Sequence, residues 1–192
     1  MLNKINKFAL LAVLILFFTI NTRAQEKKIP PSLKASISQS LGVDTEIKFE
    51  FSRPGVKGRT IWGDLVPYGL TPGNKYSDNK PFPWRAGANK NSTLETNKAI
   101  LVEGKKLPAG KYGIHMIPNE KEFVVIFSKT DSLWGSYQYN EADDALRITV
   151  AAKAVSHEEW LTFGFADLAG TSATAYLHWE KLMIPFKIET IE

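Results

Sequence analysis

The sequence predicts an all-β protein, a single-domain antiparallel β-sandwich with a jelly-roll-like or barrel-like arrangement and little helix. Apolar and polar residues alternate with a period of two through most of the chain after residue 32, as on strands that bury one face. Gly/Pro turns separate these segments at near-regular spacing. No window of about a dozen residues has the period of an amphipathic helix. The sequence has no internal repeat, so we expect one domain over residues 32–192.

Each strand is predicted from its own alternation. Ile47, Phe49 and Phe51 alternate with charged residues, as expected for a strand with one buried face. We therefore expect Ile47 and Phe49 to be buried, together with Ile148 and Trp160 of later strands. The predicted strands span residues 33–38, 46–51, 112–117, 123–127, 145–151, 160–165 and 174–188.

Turns and one irregularity are also predicted. Residues 107–110 and 117–120 both place proline where a turn requires φ of about −65°. The second turn should therefore join two strands into a hairpin over residues 111–128. In the last strand the apolar positions change phase, which predicts a β-bulge near Glu180 and Lys181.

The N-terminal 24 residues have the pattern of a secretory signal peptide. Lys4 and Lys7 precede an apolar run, and small residues stand before Gln25. A membrane anchor is the alternative, but the run is shorter than the roughly 20 residues that span a bilayer. We expect cleavage before Gln25, a flexible leader over residues 25–31 and no membrane span thereafter, which predicts a periplasmic or secreted protein.

Charge and cysteine content exclude several classes. The chain has 24 Lys+Arg and 20 Asp+Glu, and three of the cations but none of the acids precede Gln25. The chain from Gln25 onward then has a formal net charge of +1, which argues against nucleic acid as a partner. Because cysteine is absent, disulfides, thiolate metal sites and cysteine nucleophiles are excluded. Phosphate-binding and dinucleotide motifs are also absent, so no cofactor is expected.

The irregular middle of the chain concentrates arginine and aromatic residues. Long irregular segments in compact domains are often functional, and guanidinium groups beside aromatic rings are typical of recognition surfaces. Such a set could form a cleft for carboxylate, phosphate or sulfate, or it could brace loop carbonyls. A histidine on a later strand could join the cleft. The candidate ligand-binding residues are Arg53, Lys57, Arg59, Tyr68, Trp84, Arg85, Asn89 and His115.

The remaining motifs favour structural roles. His157-Glu158-Glu159 begins like a zinc-protease helix, but the second histidine is missing, so we expect a solvated turn at a strand start and no metal site. His178, on a predicted strand, fits a hydrogen-bonded surface histidine better than a catalytic base.

Six ordered blocks of the chain match the pattern of a known family: residues 52–54, 57–59, 65–69, 84–89, 104–112 and 133–135. In these blocks the chain resembles the DUF2911 proteins, exported proteins of unknown function found mainly in Bacteroidetes. The resemblance implies family membership and no particular activity. Lys90 stands where the family pattern has an acid, and the loop from Leu70 to Pro83 resembles an insertion. Asp131-Ser132-Leu133 resembles the short acceptor for O-glycosylation at Ser132 in the same bacteria.

These observations predict non-catalytic recognition of an acidic or carbohydrate-like envelope ligand through an Arg/aromatic cleft. A cell-envelope hydrolase using His115 or a carboxylate is the first alternative. A structural envelope protein without a ligand is the second. A binding module needs an open cationic groove, whereas an enzyme needs an acid or base within reach of its substrate.

Overall fold

The computed structural model of the chain describes residues 29–191, which include the compact unit that begins at Pro31. The predicted signal peptide and most of the predicted leader lie outside the described residues. Within them, no helix is long and apolar enough to cross a membrane.

The described residues form an antiparallel β-sandwich, which confirms the predicted fold class. The strands are β1 (Leu33–Leu41), β2 (Thr45–Arg53), β3 (Ser92–Thr96), β4 (Ile100–Val102), β5 (Lys105–Leu107), β6 (Gly110–Pro118), β7 (Glu122–Ser128), β8 (Asp144–Ala151), β9 (Lys153–Ala169) and β10 (Ser172–Thr190). A six-stranded sheet has the order β1-β2-β3-β6-β7-β8, and a four-stranded sheet has the order β5-β4-β10-β9. One short 3₁₀ turn, Glu141–Asp143, precedes β8.

The core lies between the two sheets and is rich in phenylalanine. Phe49 of β2 stacks on Phe163 of β9 with ring centroids 4.9 Å apart, and Phe127 of β7 meets Phe186 of β10 at 6.0 Å. Burying such rings is the main favourable contribution to folding in a chain without disulfides. Each sheet therefore presents an apolar face to the core, while the outer face of β6 and β7 is itself partly covered, because the paired residues His115 and Ile126 are also fully buried.

Burial confirms three of the four core predictions and corrects the fourth. Ile47, Phe49 and Ile148 are buried, but Trp160 is 39% exposed. Its neighbour Leu161 points into the core, and successive residues of a strand point to opposite faces, so Trp160 lies outside. The predicted strand at this residue is confirmed, but the buried face of β9 carries Leu161 and not Trp160, so the prediction for Trp160 is wrong.

The predicted hairpin and bulge are confirmed. β6 and β7 pair antiparallel around the turn after Pro118. The register of β10 against β9 shifts on both sides of Glu180, whose φ is 57°. In contrast, the segment from His157 to Glu159 lies inside β9 and not in a turn at its start, because β9 begins at Lys153.

Candidate functional site

All three predicted ligand-binding arginines donate to backbone carbonyls, and two of them, Arg53 and Arg59, lie at or just after the end of β2. The Arg53 guanidinium donates from Nε to the Leu161 carbonyl at 2.9 Å and also reaches the Trp160 carbonyl at 3.3 Å. Arg59 donates to the carbonyls of Gly55 and Val56 at 2.6 and 3.1 Å. These contacts tie the segment after β2 together and join it to β9. Both guanidinium groups therefore use N–H donors in hydrogen bonds to backbone carbonyls of the same chain.

Lys57, Tyr68 and Trp84 have separate surroundings. The Lys57 ammonium lies 5.6 Å from the centre of the Trp160 ring. Tyr68 is 43% exposed. Trp84 is 9% exposed and stacks on Trp179 in the core at 6.1 Å. Trp84 therefore packs in the core, whereas Lys57 and Tyr68 lie at the surface.

Arg85 joins two of the blocks that carry the family resemblance. Its guanidinium donates to the Asn89 carbonyl at 2.9 Å and to the Tyr137 hydroxyl at 3.3 Å. It packs so closely on Gly135 that a Cβ there would lie 2.9 Å from the Arg85 Cζ. Asn89 has a φ of 62° and also accepts the Gly135 N–H at 2.9 Å. Residues 84–89 and 133–135 are thus contact partners.

His115 lies beneath the same segment. It is fully buried on β6, and its Nδ1 is 2.7 Å from the Ser136 hydroxyl. The Tyr139 ring covers it at 5.1 Å, and its Nε2 has no hydrogen-bond partner among the described residues. Burial lowers the pKa of His115 to about 4, so the ring is neutral at pH 7.

The eight predicted residues therefore do not line one shared cavity in the described part of the chain. Arg85 and His115 both contact the segment from Gly135 to Tyr139, while Arg53, Lys57 and Arg59 lie against β9 or their own loop. None of the eight lines the cavities described below. Their role in ligand binding stays a prediction.

A groove of about 440 Å³ instead lies on the outer face of the six-stranded sheet. We call it the outer-face groove. Its floor comes from β1, β2, β3 and β6, and one wall is formed by Asp131 and Ser132. Its polar and charged lining residues are Lys34, Ser36, Glu50, Ser52, Lys90, Asn91, Thr93, Lys111, Asp131 and Ser132.

The strand register explains how this groove arises. Ser36 of β1, Glu50 of β2, Thr93 of β3 and Gly113 of β6 stand side by side across the sheet. A Cβ on Gly113 would lie only 2.4 Å from the side-chain nitrogen Nδ2 of Asn91 and 2.4 Å from the backbone carbonyl oxygen of Thr130. The missing side chain lets the Asn91 amide lie over the sheet at this point.

Two buried polar atoms lie beneath the groove without partners. Asn91 and Thr93 are 5% and 6% exposed. The Asn91 Oδ1 and the Thr93 Oγ1 are out of contact with solvent, and neither has a hydrogen-bond partner among residues 29–191. An unsatisfied buried polar group costs about 1–3 kcal/mol, so such atoms are uncommon in structural roles alone.

The charges of the groove divide into a paired and an unpaired set. Glu50 accepts from Lys111 at 2.7 Å and from Lys48 at 2.9 Å, and these bonds lower the pKa of Glu50 to about 2. The bond to Glu50 also raises the pKa of Lys111. Lys34 and Lys90 are exposed, and the ion pairs of this groove within residues 29–191 use Lys111 and Lys48 instead.

An exposed tryptophan stands beside the groove. Trp134 is 62% exposed and pairs antiparallel with Lys90 through an isolated β-bridge. Directly opposed residues of an antiparallel pair project to the same face, so the indole lies on the side of Lys90. Ser132, the predicted O-glycosylation acceptor, is exposed in the groove wall.

The loop that resembles an insertion lines a second cavity, also of about 440 Å³. We call it the loop cavity; it lies between residues 70–83 and 137–141, with Arg147 in its lining. The Tyr139 hydroxyl donates to Asp144 at 2.7 Å and accepts from Arg147 at 2.6 Å. Burial and Asp144 raise the pKa of Tyr139, so this hydroxyl stays protonated.

Within residues 29–191, no three His, Asp or Glu side chains are grouped so that they could hold a metal ion.

Sequence reasoning missed most of the groove. The sequence predicts no binding role for Lys90, and Asn91, Thr93 and Lys111 share no motif. Their convergence depends on which strands are neighbours in the sheet. The one usable signal was Gly113, a glycine inside an otherwise clean strand, which often marks close approach of another group.

Together these features define an antiparallel β-sandwich with a polar groove on the outer face of its larger sheet. The chain belongs to the family described as Protein of unknown function (DUF2911), whose model matches residues 32–188, which confirms the resemblance found in the sequence. No curated protein and no solved structure matches the chain.

Proposed function

We propose that this chain is an exported, non-catalytic binding protein that recognises an acidic or carbohydrate-like ligand in the outer-face groove. In this proposal residues 1–24 direct export and are removed. The β-sandwich then acts in the periplasm or outside the cell. The ligand class is the one expected from the sequence, but the site is the outer-face groove and not the Arg/aromatic set.

The observation that carries the proposal is the pair of unpartnered oxygens under the groove. Asn91 and Thr93 each place an oxygen that has no partner among residues 29–191 beneath a cavity large enough for a small ligand. Ligand hydroxyl groups can donate to both oxygens. Both oxygens are covered by neighbouring atoms, so the proposal includes a change of side-chain torsion, about Cα–Cβ in Thr93 and about Cβ–Cγ in Asn91, that turns them toward a ligand.

Catalysis has less support than binding. A general base must reach the substrate and hold a pKa near the working pH. His115 is fully buried and does not line the groove. The groove carboxylate of Glu50 has a pKa of about 2, because two lysines stabilise its charge, so it accepts a proton poorly at neutral pH. These features favour a binding role over the hydrolase alternative.

A blocking substitution on β1 tests the proposal. Ser36 is exposed and lines the groove, so Ser36→Trp fills the groove without disturbing the core. Ser38 is the next outward position of the same strand, is also exposed and lies outside the groove lining, so Ser38→Trp is the matched control. Calorimetric titrations should use oligogalacturonate, maltooligosaccharides and succinate as acidic-sugar, neutral-sugar and acid-only ligands.

We expect at least one of these ligands to bind, Ser36→Trp to weaken that binding tenfold or more, and Ser38→Trp to leave it unchanged. Tenfold corresponds to about 1.4 kcal/mol of binding free energy. Equal binding by both variants, or no binding of any ligand to the unmodified protein, would overturn the proposal.

A further inference from the structure

The unpaired charge of the outer-face groove is positive. Glu50 is neutralised by Lys111 and Lys48, and Lys111 also lies within electrostatic reach of Asp131. Lys34 and Lys90 line the groove, are exposed and are not used in the ion pairs made there by the described residues. Two ammonium groups, those of Lys34 and Lys90, are therefore available to an acid group of a ligand. Asp131 is the one carboxylate of the lining besides Glu50.

A flat apolar side chain adjoins the groove lining: Trp134 follows the wall residue Ser132 by two positions and pairs with Lys90, although it is not itself a lining residue. Trp134 is 62% exposed although indole is among the larger apolar side chains, and it lies on the side of Lys90. An exposed aromatic face next to a polar groove suits a ligand with one apolar face and polar edges. A sugar ring has this character, because its C–H groups form a face and its hydroxyl groups form the edge.

Hydroxyl and amide groups complete the lining. Ser36 and Ser132 are exposed in the groove, and the unpartnered oxygens of Asn91 and Thr93 lie beneath it. These are short polar side chains suited to hydrogen bonds with ligand hydroxyls. A small acid without hydroxyls would leave them unused, and a neutral sugar would leave the two lysines unused.

We infer that the ligand of the outer-face groove is an anionic saccharide whose ring packs on Trp134 and whose acid group lies between Lys34 and Lys90. This inference rests on the proposed function and names its ligand class. The acid group can be a carboxylate or a sulfate, since both present oxygens to ammonium groups. Lys90 has a specific part in this recognition, because its exposed ammonium lines the groove and makes no ion pair within residues 29–191.

The test compares ligands that differ only in charge. Oligogalacturonate carries a carboxylate on each ring, and its methyl ester keeps the ring without the charge. A sulfated galactan oligosaccharide supplies the sulfate alternative. The variants are Lys34→Gln combined with Lys90→Gln, with Lys106→Gln combined with Lys121→Gln as the control, because both control lysines are exposed and lie outside the groove lining.

We expect the acid form, the sulfated form or both to bind at least tenfold more tightly than the methyl ester. The Lys34/Lys90 double variant should abolish that difference, and the control pair should retain it. Added salt should weaken the charged ligands selectively, because exposed charges are screened. Trp134→Ala should weaken both acid and ester forms, whereas Trp160→Ala, a second exposed tryptophan, should weaken neither.

The outcomes separate the two proposals. If the methyl ester binds as tightly as the charged forms and Ser36→Trp still blocks it, the groove binds a neutral saccharide and this inference is wrong while the proposed function stands. If succinate alone binds and Trp134→Ala has no effect, the saccharide part is wrong. If nothing binds, both proposals fail.

Discussion

Lowering the pH should destabilise this protein through His115. The ring is fully buried, and its pKa falls from 6.5 in a free histidine to about 4 in the folded state. Between these values the unfolded chain takes up a proton that the folded chain does not, so stability must fall as the pH falls. The loss begins near pH 6.5 and is complete below about pH 4.

The magnitude follows from the two pKa values. The full difference of about 2.5 pKa units corresponds to roughly 3 kcal/mol, and at pH 5 about 2 kcal/mol of it is already lost relative to pH 8. Glu50 also loses its stabilising charge in acid. Its pKa is lowered from 4.5 to about 2, so this loss of stability occurs below pH 4.5. The interval from pH 6.5 to 4.5 therefore isolates His115 from Glu50.

The assay is urea unfolding at half-unit steps from pH 8 to pH 4.5. His115→Gln keeps a polar side chain near Ser136 but cannot titrate, so its stability should be nearly flat over this interval. His157→Gln, at an exposed position, is the control and should behave like the unmodified protein. Equal pH dependence in the His115→Gln variant and the unmodified protein would refute the reasoning.

Three further predictions concern the core, the bracing arginines and processing. Phe49→Ala should lower the free energy of unfolding by about 3–5 kcal/mol in urea titrations, since Phe49 is fully buried against Phe163; a negligible loss would contradict the packing. Arg85→Ala should lower it by about 1–3 kcal/mol, because the Tyr137 hydroxyl loses its partner; an unchanged thermal melt would instead identify Arg85 as free for a ligand. Mass spectrometry of the exported protein should find Gln25 at the N-terminus, and retention of residues 1–24 would contradict signal-peptide cleavage.

The sequence predicted the strands whose two faces differ in polarity. β2 alternates over most of its length, and the β6–β7 hairpin has a proline turn between two apolar segments, so their positions were predicted within a few residues although β6 and β7 are buried almost continuously. β3 was missed because four of its five residues are buried, including Ser92 and Thr93. Polar residues beneath a covered outer face remove the alternation on which the prediction depends.

The candidate site was less predictable, because it depends on partners and register. Arginine can hold an internal carbonyl or an external anion, and the sequence cannot distinguish these uses. Arg53 and Arg59 proved to hold carbonyls. Lys34 and Lys111 are far apart in the chain, and only the order β1-β2-β3-β6 brings them to one groove.

Chemical-shift mapping tests the central claim most directly. The chain from Gln25 onward, labelled with ¹⁵N, would be titrated with oligogalacturonate while backbone amide and indole signals are followed. The largest shifts should occur at the amides of Asn91, Thr93 and Gly113 and at the Trp134 indole, with little change around the loop cavity. Largest shifts around the loop cavity, or small shifts scattered over both sheets, would contradict ligand recognition in the outer-face groove.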